Sequence, residues 1–355
     1  MSGSNQHTIP QIMLRGFGRK NKAKAVQVVV YRRDKIFATG TRGIGAERFF
    51  YSPLATNGET TLDDKITSYE QQLDNYVDQL RSCSIGTDID PAKAAEVVAH
   101  LTIRTAQVRN SFTYGTKQIA EGVATAVLDP AKRWRLLGYH LPKPTGEVKA
   151  TIEKAYAEGG FRARGIPRKA FFKFMFEGMK EEFKKIDRMK EFEEAVTTLV
   201  NKIPDAAASG HRKALLNGLA PEERVAALHT LTWQVLEAPC DVLLPDCVAI
   251  EGDDEDKCRS LVFALNASIN HVFMPVATRR VLVGSKSRTT HLPEPLCRML
   301  ARCSWEYFVA LDKTPEFEAL VSAIGSATRQ FIDAETGKGL DATFRDLAHI
   351  DGSRR

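Results

Sequence analysis

Residues Asp90–Leu128 read DPAKAAEVVAHLTIRTAQVRNSFTYGTKQIAEGVATAVL. Asp90 suits the N-cap of a helix, and Pro91 suits the first helical position, where a missing N–H costs no hydrogen bond. No other proline occurs before Pro130, and apolar residues recur along the stretch at helical spacing. The pattern predicts one continuous helix roughly 55 Å long, around which the remaining chain is organised.

The composition is that of an ordinary globular protein. Of the 355 residues, 43% are apolar and 26% are charged, which is enough for a large core and one to three domains. No apolar run is long enough to span a bilayer, and the polar start lacks the basic and apolar regions of a secretion signal. The six cysteines include no CxxC pair, which favours free thiols in a reducing compartment. We therefore expect a cytoplasmic protein without a membrane partner.

Positive charge is concentrated in two segments, although the net charge is only +6. Residues 1–50 hold ten Lys or Arg residues against two acids, and residues 161–190 hold ten against four. Such clusters can contact phosphate backbones, so nucleic acid is one candidate partner, and the alternative is a solvated surface. Between Phe161 and Phe176 the basic residues alternate with phenylalanines. This mixture can stack on single-stranded nucleic acid, but it favours packing on a core, on a partner protein or on a second copy.

The rest of the chain predicts a mostly helical α+β fold. β-branched and aromatic residues at 25–32 and 36–41 predict an N-terminal hairpin, and short β-like runs return between residues 233 and 310. The expected architecture is a long central helix, with the small hairpin and the short C-terminal strands forming one sheet. The predicted segments are 1–145 with the hairpin and the long helix, 146–231 as a helical insertion, and 232–355 as the strands and helices that complete the core.

Acidic residues at helical spacing form the first candidate site. Asp63, Glu70 and Asp74 share one face of a predicted helix. Glu47, Glu70 and Asp74 are the predicted ligands of Mg²⁺ or Mn²⁺, a metal suited to phosphodiester hydrolysis. The alternative is a solvated acidic face. Because Glu70 adjoins the apolar stripe, we expect it to need a partner, for which Arg104 is the candidate.

His7 stands at the start of a short helix predicted over residues 7–17, with Gln11 one turn later. A neutral imidazole can act as a general base or a metal ligand, and the alternative is that His7 only caps the helix. Gln11 and Arg15 are predicted to bind substrate beside it. The predicted catalytic group is His7, Glu47, Glu70 and Arg104.

A polar row lies beside the apolar stripe of Asp90–Leu128. His100, Arg104 and Gln107 follow one another at one-turn spacing, and Arg109 lies close by. Arginine offers a planar fork of donors, so His100, Gln107 and Arg109 are predicted to hold an anionic substrate together with Arg104. The alternative is an internal polar network, because buried polar groups must be paired in any case.

Asp246 is a further candidate because it follows a short predicted strand at 241–244. Functional acids often lie where a strand ends, on a loop held by a rigid scaffold. An aspartate at such a position also makes ordinary turns. Both interpretations of Asp246 stay open.

Several short motifs follow one another in an informative order. The pattern His-x-x-Pro-Gln occupies residues 7–11, Leu-Arg-x-Phe follows at 14–17, and Arg104-Thr105 precedes Arg109. Further motif residues are Val29–Tyr31, Ala46–Tyr51, Glu70, Trp233 and Leu244–Asp246. This order resembles a functionally uncharacterised bacterial family, domain of unknown function four-two-three-eight, over about residues 7–310. The residues that depart from its pattern are Ala106, Pro245 and Val248.

The resemblance implies a single unit and supplies no reaction, but members in bacterial and phage genomes imply conflict between genomes. The first hypothesis is therefore a defence or toxin-type enzyme, a metal-dependent phosphodiesterase or nuclease acting on nucleic acid. The second is a non-catalytic sensor or interaction module that binds nucleic acid or protein. The chain has no P-loop, strand-anchored GxGxxG, GxSxG or HExxH motif, which disfavours nucleotide hydrolysis, dinucleotide binding and zinc proteolysis.

Overall fold

The computed structural model describes residues 5–21, 25–52, 60–129, 132, 134–135, 138–185 and 189–349. The chain forms two units, one made of Met1–Thr113 with Pro204–Ile332 and the other of Tyr114–Ile203 with Asp333–Arg355. The three sequence segments 1–145, 146–231 and 232–355 remain a prediction. Members of the two basic segments that lie outside the described residues or side chains are Lys22, Lys24, Lys184, Lys185, Arg188 and Lys190.

Helix is the main element, and the predicted α+β class is confirmed. The described helices are α1 Gln11–Arg15, α2 Leu62–Ser82, α3 Pro91–Ile103, α4 Ala106–Leu128, α5 Gly146–Glu158, α6 Arg168–Lys185, α7 Met189–Asn217, α8 Glu222–His229, α9 Leu296–Cys303, α10 Pro315–Ala319 and α11 Ser326–His349. Helix α7 continues through Pro204, and α11 follows the last of the short C-terminal strands. No helix in the described ranges combines the length and hydrophobicity that crossing a membrane requires.

The strands are short and lie in the first unit. They are β1 Asn5–His7, β2 Arg19–Lys20, β3 Val26–Arg32, β4 Ile36–Gly40, β5 Ala46–Arg48, β6 Asp88–Ile89, β7 Thr232–Glu237, β8 Leu244–Pro245, β9 Ile250–Glu251, β10 Arg259–Ser260, β11 His271–Ala277, β12 Arg280–Ser285 and β13 Tyr307–Ala310.

These strands form three antiparallel sheets in the described part of the chain, so the prediction of one sheet is wrong. The predicted hairpin is present, and β3 also pairs with β13. β8 pairs with β13 in the same sheet as the hairpin. The other C-terminal strands form a second sheet together with β6, in the order β10-β9-β11-β12-β7-β6, and β1 pairs with β5 in a third. Alternation of side chains predicts where a strand lies, but not which partner its backbone bonds, so the sequence could not separate the sheets.

The prediction of one continuous helix is also wrong. The helix is interrupted between α3 and α4, at Arg104 and Thr105. The hydroxyl of Thr105 donates to the carbonyl of Thr102 over 3.0 Å. The carbonyl of Arg104 accepts from the hydroxyl of Tyr51 at 2.8 Å, so a side chain takes the place of a helical N–H. The break removes Arg104 from the regular helix and leaves its side chain to point toward β1 and α2, as its contacts with His7 and Glu70 show.

Close contact with the large sheet fixes α1. A Cβ on Gly16 would meet the carbonyl oxygen of Val276 at 2.5 Å, so only glycine lets the end of α1 approach β11 this closely. Arg81 of α2 donates to the carbonyl of Val276 over 2.8 Å and to that of Ile12 over 2.6 Å. These contacts hold α1, α2 and β11 together and thereby set the distance between α1 and α2.

The second unit contains the run of alternating phenylalanines and basic residues. Phe171 and Phe176 are buried with Tyr139 and Ile152 in a small aromatic core. Lys180 lies over the ring of Phe176, at 4.3 Å from its centre. The aromatic run is therefore mostly used for packing, as the sequence favoured.

Candidate functional site

A cavity of about 530 Å³ opens in the first unit and collects most of the predicted site residues. We call it the α1–α2 pocket. Its lining is Asn5, His7, Pro10, Gln11, Ile12, Arg15, Asp63, Asp64, Ile66, Thr67, Ser68, Glu70, Gln71, Asp74 and Arg104. His7, Glu70 and Arg104 of the predicted catalytic group thus meet in one cavity, together with the predicted substrate ligands Gln11 and Arg15.

Helix α2 supplies the carboxylates of the pocket. It begins with the capping box of Thr61 and Asp64, in which each residue's side chain accepts from the other's backbone N–H. Buried residues such as Leu73 hold the adjacent side of α2 in the core. Asp63, Glu70 and Asp74 all line the pocket, as expected from their helical spacing. Burial raises the pKa of Asp63, and the nearby charge of Arg104 opposes that shift.

Arg104 is the centre of the polar contacts, and its side chain is only 1% exposed. Its guanidinium contacts the carboxylate of Glu70 and donates to the carbonyl of His7. Its Nε donates to the hydroxyl of Tyr51 over 3.2 Å, and the Tyr51 ring centre lies 5.6 Å from its guanidinium carbon. The guanidinium therefore joins α2, β1 and the segment after β5, and Arg104 positions other residues of the lining to which it belongs.

His7 ends strand β1 rather than opening a helix as predicted. The amide nitrogen of Gln11 lies 3.1 Å from His7 Nε2, so Nε2 accepts and the ring proton is on Nδ1. Nδ1 has no hydrogen-bond partner among the described residues. Burial, followed by the charge of Arg104, lowers the pKa of His7, while the carbonyl of Gly45 raises it. His7 is therefore a neutral imidazole at neutral pH, with an acceptor nitrogen directed at another lining residue.

His100 lies behind the pocket and does not line it. Its Nδ1 donates to the carbonyl of Leu219 over 2.9 Å, which directs the lone pair of Nε2 toward Glu70 Oε1, 3.8 Å away. The ring packs on Tyr69, with ring centres 4.5 Å apart. Burial lowers the pKa of His100 to about 4. The predicted substrate ligand is thus a neutral, buried residue that lies behind Glu70 and outside the lining.

Glu47 lies outside the pocket lining because of the pairing of β1 with β5. Glu47 is directly opposite Gln6, whereas His7 is opposite Ala46. Residues opposite each other share a face of the sheet and neighbours alternate, so Glu47 and His7 point to different faces. Partial loss of water raises the pKa of Glu47, and Arg109 opposes this shift.

Arg109 and Gln107 are held by contacts elsewhere in the first unit. Arg109 donates to the carbonyl of Phe50 over 2.6 Å, with its guanidinium 3.5 Å from the centre of the Phe50 ring. The Gln107 amide donates to the carbonyl of Cys303 over 2.8 Å and accepts from Ser260 at 2.6 Å. Neither side chain lines the α1–α2 pocket, which fits the internal-network interpretation of the sequence.

The predicted metal ligands are not brought together. Glu70 and Asp74 line the pocket, and Glu47 does not. Within the part of the chain that the structure describes, no three His, Cys, Asp or Glu residues are grouped so that they could hold a metal ion. Glu70 is moreover in contact with Arg104, which competes for its oxygen atoms.

Asp246 organises the turn before β13 rather than the pocket. Its carboxylate accepts from the backbone amides of Trp305 and Glu306, each at 2.7 Å, and from that of Tyr307 at 3.2 Å. Burial raises the pKa of Asp246 to about 7 against the opposing effect of these three donors. The predicted candidate is thus a structural anchor between β8 and β13.

Replacing Asp246 with alanine leaves these backbone donors without an acceptor. An unpaired buried donor costs about 1–3 kcal/mol, so we expect Asp246→Ala to destabilise the protein by at least about 3 kcal/mol in urea unfolding. Asp246→Asn keeps one acceptor oxygen and should lose less. A fall of under about 1 kcal/mol in the alanine variant would contradict the anchoring role.

Sequence reasoning missed Tyr51 and Asn5. Tyr51 is fully buried, and its hydroxyl contacts both Arg104 and the carbonyl of His7. Asn5 joins the lining because β1 pairs with β5, which brings the start of the chain beside α2. Both contacts join segments distant in sequence. The order of the family-like motifs, which includes Tyr51, was the one signal that pointed to it.

The fold and the site define a helix-rich α+β protein with a polar pocket between an N-terminal strand–helix pair and one long helix. The family described as "Protein of unknown function (DUF4238)" matches residues 5–299, and the chain belongs to this family. The match includes every residue that lines the α1–α2 pocket. Neither the curated proteins nor the solved structures include a match to the chain.

Proposed function

We propose that the protein is a hydrolase, with the α1–α2 pocket as its active site and His7 as its general base. The observation that carries this proposal is the neutral imidazole of His7 on the wall of an open polar cavity. A general base must be unprotonated at the working pH and within reach of the proton that it removes. The lowered pKa of His7 meets the first condition.

The contacts around His7 support its role. The Gln11 amide orients the imidazole, and Arg104 holds the backbone carbonyl of the same residue. A water molecule in the pocket can take the place of the Gln11 donor on His7 Nε2 and lose its proton there as it attacks. The imidazolium of His7 that forms can then return this proton to the leaving group.

Nucleic acid as the substrate, with Mg²⁺ or Mn²⁺, remains a prediction from the sequence, as does a role in conflict between genomes. Some of the basic residues on which the nucleic-acid prediction rests are paired within the chain. Arg19 lies 2.5 Å from the Asp312 carboxylate, and Arg33 donates to the carbonyl of Ile324. Phosphodiester hydrolysis in a pocket of carboxylates would need a cation to bridge enzyme and phosphate.

The proposal is tested by assaying purified protein against a panel of labelled esters, amides, glycosides, DNA and RNA. Each substrate is tried with Mg²⁺, with Mn²⁺ and with EDTA, because the requirement for a metal separates the phosphodiester prediction from metal-free hydrolysis. We expect turnover of at least one class of substrate. The Gln11→Ala variant should lower this turnover less than the His7→Ala variant does. If none is turned over under every condition, the non-catalytic binding module becomes the better account.

A further inference from the structure

We propose that the α1–α2 pocket selects an organic cation with several N–H donors, that is, a substrate carrying a primary ammonium or guanidinium group. The inference uses the same pocket as the proposed hydrolase and adds the class of substrate to it.

The charges of the lining favour a positive ligand. Four acidic residues, Asp63, Asp64, Glu70 and Asp74, line the pocket together with two arginines, Arg15 and Arg104. His7 adds no positive charge at neutral pH because its pKa is lowered. A cleft lined by one sign of charge concentrates ligands of the other sign, so an anion such as phosphate is disfavoured here.

Part of this charge is already compensated, and the remainder is negative. Glu70 is in contact with the Arg104 guanidinium, and Asp64 is hydrogen-bonded to Thr61 in the capping box. This leaves Asp63 and Asp74 against the exposed Arg15.

The donors of the wall are also mostly used within the protein. All three nitrogens of the Arg104 guanidinium are directed at acceptors of the chain, namely Glu70, His7 and Tyr51. The amide of Gln11 is directed at His7. The pocket therefore offers oxygen acceptors to a ligand, and a ligand rich in N–H donors satisfies them.

His100 extends this acceptor character behind the wall. It is 0% exposed, and its Nε2 has no hydrogen-bond partner among the described residues. The nitrogen points at Glu70 Oε1, so two acceptors face each other over 3.8 Å. The Arg104 guanidinium contacts the same oxygen and lowers the electrostatic cost of this arrangement, a further positive group on the pocket side would lower it more, and an anion there would raise it.

The geometry favours an organic cation over a metal ion. The described residues provide no group of three metal ligands at the pocket. The cavity of about 530 Å³ is also much larger than a single hydrated ion needs, and it falls within the range of small-molecule sites. Amide and hydroxyl groups of Asn5, Gln71, Thr67 and Ser68 can accept from a ligand of this size.

The test is a calorimetric titration of the full chain with n-butylammonium and methylguanidinium, with n-butanol as the uncharged analogue. We expect the two cations to bind at least about tenfold more tightly than n-butanol, and the difference to shrink in high salt. Inorganic phosphate and Mg²⁺ are titrated in parallel. Stronger binding of either of them than of the cations would overturn the proposal, as would equal binding of n-butanol or binding of no probe.

Two variants locate the effect. Asp74→Asn removes one negative charge from the lining and should weaken cation binding about tenfold, whereas Arg15→Gln should strengthen it. The control is Asp78→Asn, one turn further along α2 and outside the lining. If Asp78→Asn weakened cation binding as much as Asp74→Asn does, the assignment of the cation site to the α1–α2 pocket would be contradicted. Cation binding without turnover of any substrate refutes only the hydrolase, and turnover without preference for cations refutes only the substrate class.

Discussion

Replacing Arg104 with methionine should destabilise the first unit by about 3–5 kcal/mol, the largest loss that we expect from any single change at the pocket. Methionine keeps most of the volume but removes the partner of Glu70 and the donors to His7 and Tyr51. The Glu70 carboxylate then loses its counter-charge at a position where only 19% of its side chain is exposed. Thermal and urea unfolding measure the loss.

Two controls separate this charge effect from general damage. Arg15→Met removes an exposed guanidinium from the same pocket and should change stability by no more than about 0.5 kcal/mol. In Arg104→Met/Glu70→Gln the unpaired charge is gone, so part of the lost stability should return, which a double-mutant cycle reports. An Arg104→Met protein as stable as the wild type would show that the polar network contributes nothing.

Replacing His7 with alanine should lower turnover about 10²- to 10⁴-fold on whichever substrate the panel identifies. The effect on stability should be small, because the His7 side chain is only partly buried and its backbone contacts to Arg104 and Tyr51 remain. Turnover is measured at saturating substrate, and unfolding is measured on the same preparation. A stable protein with unchanged turnover would exclude His7 as the base.

The pH profile gives a second, independent test of His7. A base works only when unprotonated, so activity should fall as pH drops through the pKa of His7, which lies below its usual value of 6.5. This acidic limb should be absent from any activity that remains in His7→Ala. In Arg104→Met the limb should move to higher pH, because the Arg104 charge is one of the causes that lower the pKa of His7. A limb that stays in place would show that Arg104 does not act through His7.

Local elements were predictable because their causes are local. Thr61, the acids after it and the apolar spacing of α2 are all visible in the sequence, and the helix forms there with its capping box. The strands of the hairpin at Val26–Arg32 and Ile36–Gly40 are equally visible. The break after α3 was not, because the Tyr51 hydroxyl that bonds Arg104 comes from a distant part of the chain.

The candidate site was predictable in part for the same reason. The face shared by Glu70 and Asp74 follows from helical geometry. Glu70 adjoins the apolar stripe and needs a cationic partner, which pointed to Arg104. Glu47 was misplaced because one strand register decides which face a side chain occupies, and that register is invisible in the sequence. The contacts of Gln107 could not be predicted either, because its partners Cys303 and Ser260 are distant in sequence.

The close packing of Gly16 against β11 has a consequence for biosynthesis. All the residues that line the pocket leave the ribosome well before Val276, against which α1 is fixed through Gly16 and Arg81. A nascent chain therefore carries the complete set of pocket side chains for a long interval without the surface that sets their spacing. We expect newly made protein to gain ligand-binding competence only after β11 has been translated, and chains truncated before β11 to lack it.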